Sequence, residues 1–491
     1  MGIPSYYKRL IDTVPGLLRR SHPDCKVNYL WLDFNCMIYH CLRRPDMPAY
    51  PGEEGRVTWE GQFMEEIVKY CQKVVAEVKP VDGVFIAVDG VVPMAKMRQQ
   101  RLRRFKPASA EGAWDTNAIT PGTAFMASLR TRLAAMCSKH VNWRLSGADE
   151  PGEGEHKIMA EWRAGVGAGC VNAVYGLDAD LIVLSLLNGH GPVWLFREEV
   201  EAGVIKRDDM GEEAFTWFDI EALKATIKSS IGSTSIEEYC CAMSFLGNDF
   251  LPSGLSLKMR EDGHQVLLDL LAGGTRLLGS DGRLAPTSLL AALAAAEEKR
   301  VLAFIKKKLR QAGTIGTELA FGENNWPLAH VEEKILLDSA MTTALRSDWQ
   351  EIYLKVWFGK GVQRADLCRT YMEGVNWVWD YYRGKPVCYN WHYPWSLPPL
   401  WNWLLAFAPA VEAPVPVIGP TDIKPASQLA LVLPLRSWHL VPAGNRQLPV
   451  RAPWLFPTRF DHFSVGRRYF WECEPEIPVP SIIEVMAICC D

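Results

Sequence analysis

The chain has 491 residues, of which 48% are hydrophobic and 22% are charged. This composition is typical of a globular protein with a large core and excludes a disordered chain, and the length predicts two or three compact units. The net charge is −4. Binding to a polyanion would therefore need a local basic patch, because the surface as a whole is not basic.

The cysteines and the amino terminus predict where the protein is found. Thirteen cysteines occur without Cys-x-x-Cys pairs or regular spacing, which is typical neither of a disulfide framework nor of a zinc site. We interpret them as reduced thiols. No apolar run approaches the roughly 18 residues of a membrane span, and the start, MGIPSYYKRL, has no apolar signal region. We expect a soluble cytoplasmic protein without membrane association, and a nuclear location stays open.

Three apolar runs in the first 270 residues are typical of buried strands, and segments with helical periodicity separate them. Their sequences are VNYLWLDF (27–34), VDGVFIAVDG (81–90) and VNAVYGLDADLIVL (171–184). This alternation predicts an α/β fold with a mostly parallel, twisted sheet flanked by helices. Parallel strands end at the same edge, where ligands bind in such sheets, so we expect Asp33, Asp89 and Asp178 to converge.

Four further carboxylates stand at the ends of predicted elements. They are Glu153 and Glu155 in DEPGEGEHKIM (149–159), Asp180 two residues after Asp178, and Asp249 in SFLGNDFLP (244–252). One acid at such a position is usually a helix cap or a turn residue. Seven together would be costly, because like charges about 4 Å apart repel by about 4 kcal/mol at an effective dielectric constant of 20.

Divalent cations would balance such a set of acids. Carboxylate oxygens suit Mg²⁺, with Mn²⁺ as a substitute, whereas no His/Cys set favours zinc. Two such ions about 3.5–4 Å apart can hold the attacking and leaving oxygens of a phosphodiester. The predicted metal ligands, which are also the predicted catalytic residues, are Asp33, Asp89, Glu153, Glu155, Asp178, Asp180 and Asp249.

A basic helix is predicted over residues 94–106, just after the strand that ends at Asp89. The segment contains no acid, although solvated helices normally mix acids with bases. At 100° per residue, one face about 100° wide carries the following side chains: Lys96, Gln100, Arg103 and Arg104. A charge run is usually a solvated surface, but the missing acids and the position beside Asp89 favour phosphate binding.

The rest of the chain divides into two further parts. Residues 271–340 form a predicted helical connector or insertion, with SLLAALAAAEEKRVLAFIKKKLRQA at its centre. Residues 341–491 contain two predicted helices, at 346–358 and 367–384, and then a Trp- and Pro-rich segment. The stretch APAVEAPVPVIGP (408–420) is typical of an exposed loop of polyproline character.

Several motifs resemble, in order and spacing, the signatures of the XRN family of 5′→3′ exoribonucleases. They are MGIPSYYKRL, LDFNCMIYHC, IAVDGVVPMAKMRQQRLRRFKPA, NAITPGTAFM, PGEGEHKIM, YGLDADLIVL and FLGNDFLP. The later WVWDYYRGKPVCYNWHYPW and LVLPLRSWHLVP are similar to the second region of that family. The likeness covers most of the chain apart from roughly residues 271–340.

The resemblance implies a PIN/flap-nuclease-like core at 1–270, with the second region, 341–491, packed against it and bracing the active site. It also implies Mg²⁺-dependent, processive degradation of single-stranded RNA with a 5′ monophosphate to mononucleotides. By motif, the seven acids correspond to the metal site, and the basic helix supplies the 5′-phosphate pocket through Lys96, Gln100, Arg103 and Arg104.

The resemblance also implies a pair of rings that stack on the 5′ base. The family usually has His at the position of Tyr39, and a Tyr ring can stack equally well. The opposing ring is predicted to be Tyr389 or Trp391, and the sequence does not choose between them. The neighbouring His40 is interpreted as structural.

Two alternatives stay open. A flap-type, structure-specific endonuclease would use similar acids, but the segment after Asp249 does not resemble a helix-hairpin-helix. A catalytically inactive RNA-binding scaffold on the same fold would not need all seven acids. The sequence indicates no particular protein partner.

Overall fold

The computed structural model describes residues 2–106, 112–176, 178–201, 204–207, 211–313, 328–338, 344–407 and 411–489. Its strands are β1 Leu18–Arg19, β2 Tyr29–Asp33, β3 Gly83–Ala87, β4 Trp143–Ser146, β5 Asn172–Tyr175, β6 Val193–Glu198, β7 Val200–Glu201, β8 Val204–Ile205, β9 Phe215–Asp219, β10 His462–Phe463 and β11 Glu474–Pro475. Its α-helices are α1 Tyr6–Thr13, α2 Asn35–Leu42, α3 Arg56–Val78, α4 Met94–Phe105, α5 Ala124–Cys137, α6 Gly154–Arg163, α7 Asp180–Asn188, α8 Ile220–Ile231, α9 Ile236–Met243, α10 Gly263–Ala272, α11 Thr287–Gly313, α12 Trp349–Trp357, α13 Arg364–Tyr382, α14 Trp401–Phe407, α15 Pro425–Val432, α16 Leu448–Arg451 and α17 Ile482–Cys489.

One seven-stranded sheet organises the first part of the chain, in the order β1-β9-β6-β5-β2-β3-β4. Neighbours from β6 to β4 pair in parallel, and β9 and β1 complete one edge in antiparallel pairing. Strand β3 is buried along its whole length because hydrophobic clusters cover both faces of the sheet. The predicted α/β fold with a mostly parallel sheet flanked by helices is confirmed.

One predicted strand is wrong in its second half. The run 171–184 forms a strand only over Asn172–Tyr175, and the chain from Asp180 to Asn188 is helix α7. Nearly every side chain of α7 is buried. An apolar helix that is buried on all sides has no 3.6-residue pattern of polar positions, so its sequence resembles that of a buried strand.

The second region packs directly against the sheet domain. One hydrophobic cluster runs from Ile3 to Cys489, and α4 lies against α15. The predicted connector helix is present as α11, which packs on α14. A buried ion pair ties α11 to the following segment, with Lys308 Nζ 2.8 Å from Glu333 Oε1. The proposed domain boundaries stay a prediction.

The structure describes most of the residues on which the remaining predictions depend. Helices α12 and α13 occupy the two predicted helical segments. The predicted polyproline loop has neither helix nor strand over 411–419 and leaves Val415 and Val417 largely exposed, while its residues 408–410 lie outside the described ranges. Each described cysteine is free. Within the described ranges, no helix is both long and apolar enough to cross a bilayer.

Candidate active site

The carboxyl ends of three neighbouring parallel strands bring four aspartates together. Asp33 is the last residue of β2, and Asp89 follows β3 by two residues. Asp178 lies in the turn after β5, and Asp180 begins α7. The topology thus places the acids as expected, because adjacent parallel strands end at one edge of the sheet.

The start of α6 adds two glutamates to the same edge. Glu153 precedes the first helical residue, Gly154, and Glu155 follows in the first turn. The backbone N–H of Gly154 donates to Asp89 Oδ1 at 2.7 Å. A Cβ on Gly154 would lie 2.7 Å from Asp33 Oδ1 and 2.8 Å from the carbonyl oxygen of Ala87. Only glycine allows the helix to approach the strand ends this closely.

Asp249 reaches the cluster from a tight loop after α9. Gly247 has φ +85°, and a Cβ there would lie 2.7 Å from the backbone nitrogen of Ser253. The side-chain oxygen of Asn248 accepts from the N–H groups of Phe250 and Leu251, at 2.9 Å each. These bonds fix the turn and hold Asp249 in place between them.

The pKa values show how strongly the acids interact. Burial, followed by repulsion from Asp89 and Asp178, raises the pKa of Asp33 well above its ordinary value. The pKa of Glu155 is raised by burial and by Glu153. Burial and the charge of Asp249 raise the pKa of Asp180 to about 7. These directions are those of buried carboxylates crowded into one site.

Lys96 lies inside the acidic cluster. Its Nζ is 2.6 Å from Glu153 Oε2 and 2.8 Å from Asp249 Oδ2. Burial alone would lower the pKa of Lys96, but the charges of Asp249 and Glu153 outweigh burial and raise it well above its ordinary value. In the structure the Lys96 ammonium is thus a counter-ion of these two acids. Its predicted role in binding phosphate stays a prediction.

The other three predicted phosphate-binding residues of α4 lie in different surroundings. Arg103 is exposed. Gln100 is buried, and its Oε1 accepts from Gln428 Nε2 of α15 at 3.3 Å. Arg104 is also buried, which lowers the pKa of its guanidinium to about 10, and its Nη1 has no hydrogen-bond partner among the described residues. Their role in binding phosphate stays a prediction.

Arg104 also lies within electrostatic range of Tyr39, the residue predicted to stack on the base. Tyr39 is half-buried on α2. The neighbouring His40 is buried, with its Nε2 3.3 Å from Glu213, and packs on the ring of Tyr70 at 4.5 Å. These contacts agree with the interpretation of His40 as structural.

Both candidates for the opposing ring, Tyr389 and Trp391, are buried, and their role in stacking stays a prediction. The Trp391 indole is 8% exposed and stacks on Trp377, with ring centroids 5.5 Å apart. The edge of the indole also presses on Gly374 of α13. Trp377 thus covers one face of the Trp391 ring. Tyr389 is 7% exposed, and burial together with the charge of Glu153 raises its pKa. The choice between the two rings stays open.

Further residues, which are not predicted from the sequence, contact the acids and complete the site. Asn35 Nδ2 donates to Asp89 Oδ2 at 2.8 Å. Its position in the sequence, two residues after Asp33, could have indicated that it lies near the acids. Tyr381 of α13 donates to Glu153 Oε1 at 2.9 Å and stacks on the ring of His156 at 3.8 Å. Tyr381 is 228 residues from Glu153, so no local pattern could have indicated it.

The donor set fits a divalent cation. Ligand atoms of Glu153, Glu155 and His156 all lie within 4.8 Å of one another. Asp180 Oδ1 and His156 Nε2 are buried without hydrogen-bond partners among the described residues. Oxygen-rich sets of this kind suit Mg²⁺ or Mn²⁺.

The fold and the site together define a class: an α/β protein of PIN-like nuclease architecture with an acidic site at the carboxyl edge of its sheet. The family described as XRN 5′-3′ exonuclease N-terminus matches residues 1–113 and 106–199. Over residues 1–199 the chain is therefore similar to the XRN family.

Individual relatives extend the match along the chain. The chain is similar to 5′-3′ exoribonuclease 1 of Homo sapiens, with 25% identity over 593 aligned positions that cover 100% of this chain and 34% of the relative. It is 27% identical to 5′-3′ exoribonuclease 2 of Saccharomyces cerevisiae over 55% of this chain and 35% of the relative. It is 30% identical to 5′-3′ exoribonuclease 1 of Schizosaccharomyces pombe over 53% of this chain and 23% of the relative. The chain spans about a third or less of the length of these relatives.

Proposed function

We propose that this protein is a Mg²⁺-dependent 5′→3′ exoribonuclease that removes nucleotides processively from single-stranded RNA with a 5′ monophosphate. The observation that carries the proposal is the convergence of seven acids at one sheet edge, directly beside the basic helix α4. The names of the similar proteins support the reaction class.

The acids would hold two divalent cations. Such a pair supplies an activated water and neutralises the charge on the leaving oxygen. The predicted ligands are Asp33, Asp89, Glu153, Glu155, Asp178, Asp180 and Asp249. The chain itself positions them: Asn35 and the N–H of Gly154 orient Asp89, and the Tyr381 hydroxyl orients Glu153.

Lys96 balances charge within the site. Its ammonium joins Glu153 to Asp249, which come from separate parts of the chain. Removing one partner of a buried ion pair typically costs about 3–5 kcal/mol. Lys96 therefore keeps the two acids together, and a phosphate that enters beside it gains a cation already in position.

The 5′ phosphate would be bound by the two arginines at the end of α4. Arg104 has a buried N–H that lacks a partner among the described residues, and Arg103 is exposed next to it. A phosphate oxygen can accept such N–H groups in charge-assisted hydrogen bonds. Tyr39 lies within electrostatic range of Arg104, and the first base would stack on its ring while the 5′ phosphate occupies the pocket. A pocket for one phosphate disfavours capped and triphosphorylated ends by size and charge.

One RNA prepared with hydroxyl, monophosphate, triphosphate or capped 5′ ends tests the proposal, with and without Mg²⁺. We expect mononucleotides to appear from the monophosphate RNA with Mg²⁺, and much more slowly from the other three ends. Asp178→Ala should abolish hydrolysis and still bind RNA. RNA that is bound and recovered intact would identify an inactive scaffold, and internal cleavage at a branched structure would identify a flap-type endonuclease.

A further inference from the structure

A cavity of about 580 Å³ adjoins the acidic site. Its wall includes the side of α4 that carries Arg98 and Arg103, the loop that carries Asp249, and residues of the segments 258–261 and 466–474. We call this cavity the basic chamber. Asp249 also belongs to the acidic cluster, so the chamber and the acids share a boundary.

The wall of the basic chamber has an excess of positive charge. Every acidic side chain in it is already paired with a cation at 2.9 Å or less, as Glu472 is with Arg260 and Glu474 with Arg467. Lys106 and Arg468 line the same wall and have no carboxylate partner among the described residues, whereas burial lowers the pKa of the neighbouring Lys258 to about 7. The positive charge that is left over favours an anion.

The wall also carries hydrogen-bond donors without partners. The buried atoms Arg98 Nε, Asn248 Nδ2, Arg467 Nε and Arg468 Nε have no acceptor among the described residues. Burial of an unsatisfied donor is costly, so most buried donors in proteins are paired. A ligand with several anionic oxygens, such as a phosphate, would satisfy donors of this kind.

An aromatic platform belongs to the same wall. Trp471 is 44% exposed, and its ring is stacked on Tyr469 with centroids 6.1 Å apart and planes at 10°. The Arg260 guanidinium lies over both rings, 5.6 Å from Tyr469 and 5.3 Å from Trp471. Cations beside an accessible indole are the pattern of sites that bind one nucleotide by its phosphate and its base.

We propose that the basic chamber is a second nucleotide-binding site, in which Arg468 and Lys106 bind the phosphate and Trp471 stacks on the base. The nucleotide is either a unit of the single-stranded RNA beyond the bond to be cleaved or the mononucleotide that cleavage releases. The proposal rests on the proposed function only in taking RNA as the source of the nucleotide. A volume of 580 Å³ lies within the usual range of small-ligand sites.

Binding measured in EDTA tests the chamber without hydrolysis. The first probe is a single-stranded RNA with a 5′ hydroxyl and a 3′ fluorophore, whose binding is measured by fluorescence anisotropy. The second probe is adenosine 5′-monophosphate, whose binding is measured by calorimetry. The variants are Trp471→Ala and Arg468→Gln. Trp454→Ala is the matched control, because Trp454 is 67% exposed and does not belong to the wall. The melting temperature of each variant establishes that it is folded.

We expect both chamber variants to weaken binding at least about fivefold, the smallest effect typical of losing one stacked base, with the control unchanged. Weaker binding of the RNA assigns the chamber to the strand, and weaker binding of the mononucleotide alone assigns it to the product. No change for either probe, or an equal loss in Trp454→Ala, overturns the proposal. Hydrolysis by the wild type with Mg²⁺ is measured separately: its absence refutes the exoribonuclease but leaves a Trp471-dependent binding site standing.

Discussion

Gly154→Ala should damage the acidic site through a single methyl group. The new Cβ would lie 2.7 Å from Asp33 Oδ1 and 2.8 Å from the carbonyl oxygen of Ala87, which is 0.7 Å and 0.6 Å short of an ordinary contact at 3.4 Å. Helix α6 must therefore move outward by about that distance, and the 2.7 Å bond from Gly154 N–H to Asp89 must lengthen. Misplacement on the order of 1 Å can reduce catalysis about 100-fold, and overpacking costs about 1–3 kcal/mol.

The assay for Gly154→Ala is the single-turnover rate of hydrolysis of 5′-monophosphate RNA at saturating Mg²⁺, together with the free energy of unfolding. Gly444→Ala is the matched control, since a Cβ there meets nothing within 4 Å. We expect a rate about 100-fold below that of the wild type for Gly154→Ala and little change for Gly444→Ala. A rate within about twofold of the wild type for Gly154→Ala would refute the reasoning that the close approach positions the acids.

Three further predictions concern the same site. Tyr381→Phe removes the hydroxyl that orients Glu153 and should raise the Mg²⁺ concentration for half-maximal activity about 10- to 100-fold. Tyr371→Phe on the same helix, whose hydroxyl has no partner among the described residues, should leave that concentration unchanged, and equal effects of the two variants would contradict this prediction. Because the pKa of Asp180 is raised from 3.8 to about 7 by burial and repulsion, the metal-free protein should lose stability as the pH rises through that interval. Mg²⁺ should then raise the melting temperature more near about pH 8 than near about pH 5, and equal increments would argue against metal binding at these acids. Arg103→Ala should reduce the preference for monophosphate over hydroxyl 5′ ends, and an unchanged ratio of rates would remove Arg103 from the phosphate pocket.

The second region contributes directly to the site. Tyr381 of α13 holds Glu153, and Gln428 of α15 accepts from the N–H of Val92 at 3.0 Å while donating to Gln100. Both contacts reach residues that immediately surround the acids and α4. These buried hydrogen bonds join residues 341–491 to the sheet domain and would be lost if the two parts separated. That residues 341–491 brace the active site stays a prediction.

The elements of this protein that depend on local pattern can be predicted from the sequence alone. Apolar runs and their punctuation predict the strands that end near Asp33 and Asp89, and parallel topology then brings the acids to one edge. The basic helix at 94–105 follows from its composition in the same way. Local pattern predicted the wrong secondary structure in the second half of 171–184, because a fully buried helix has the same continuous apolar pattern as a buried strand.

The partners of individual side chains depend instead on long-range packing. Lys96 meets Asp249 across 153 residues of chain, and Tyr381 meets Glu153 across 228. Whether a tryptophan such as Trp391 is core or platform depends on what covers its faces, which its neighbours in sequence do not specify. Periodicity assigns a residue to one side of an element, but its partner is set by the packing of elements that are distant in the chain.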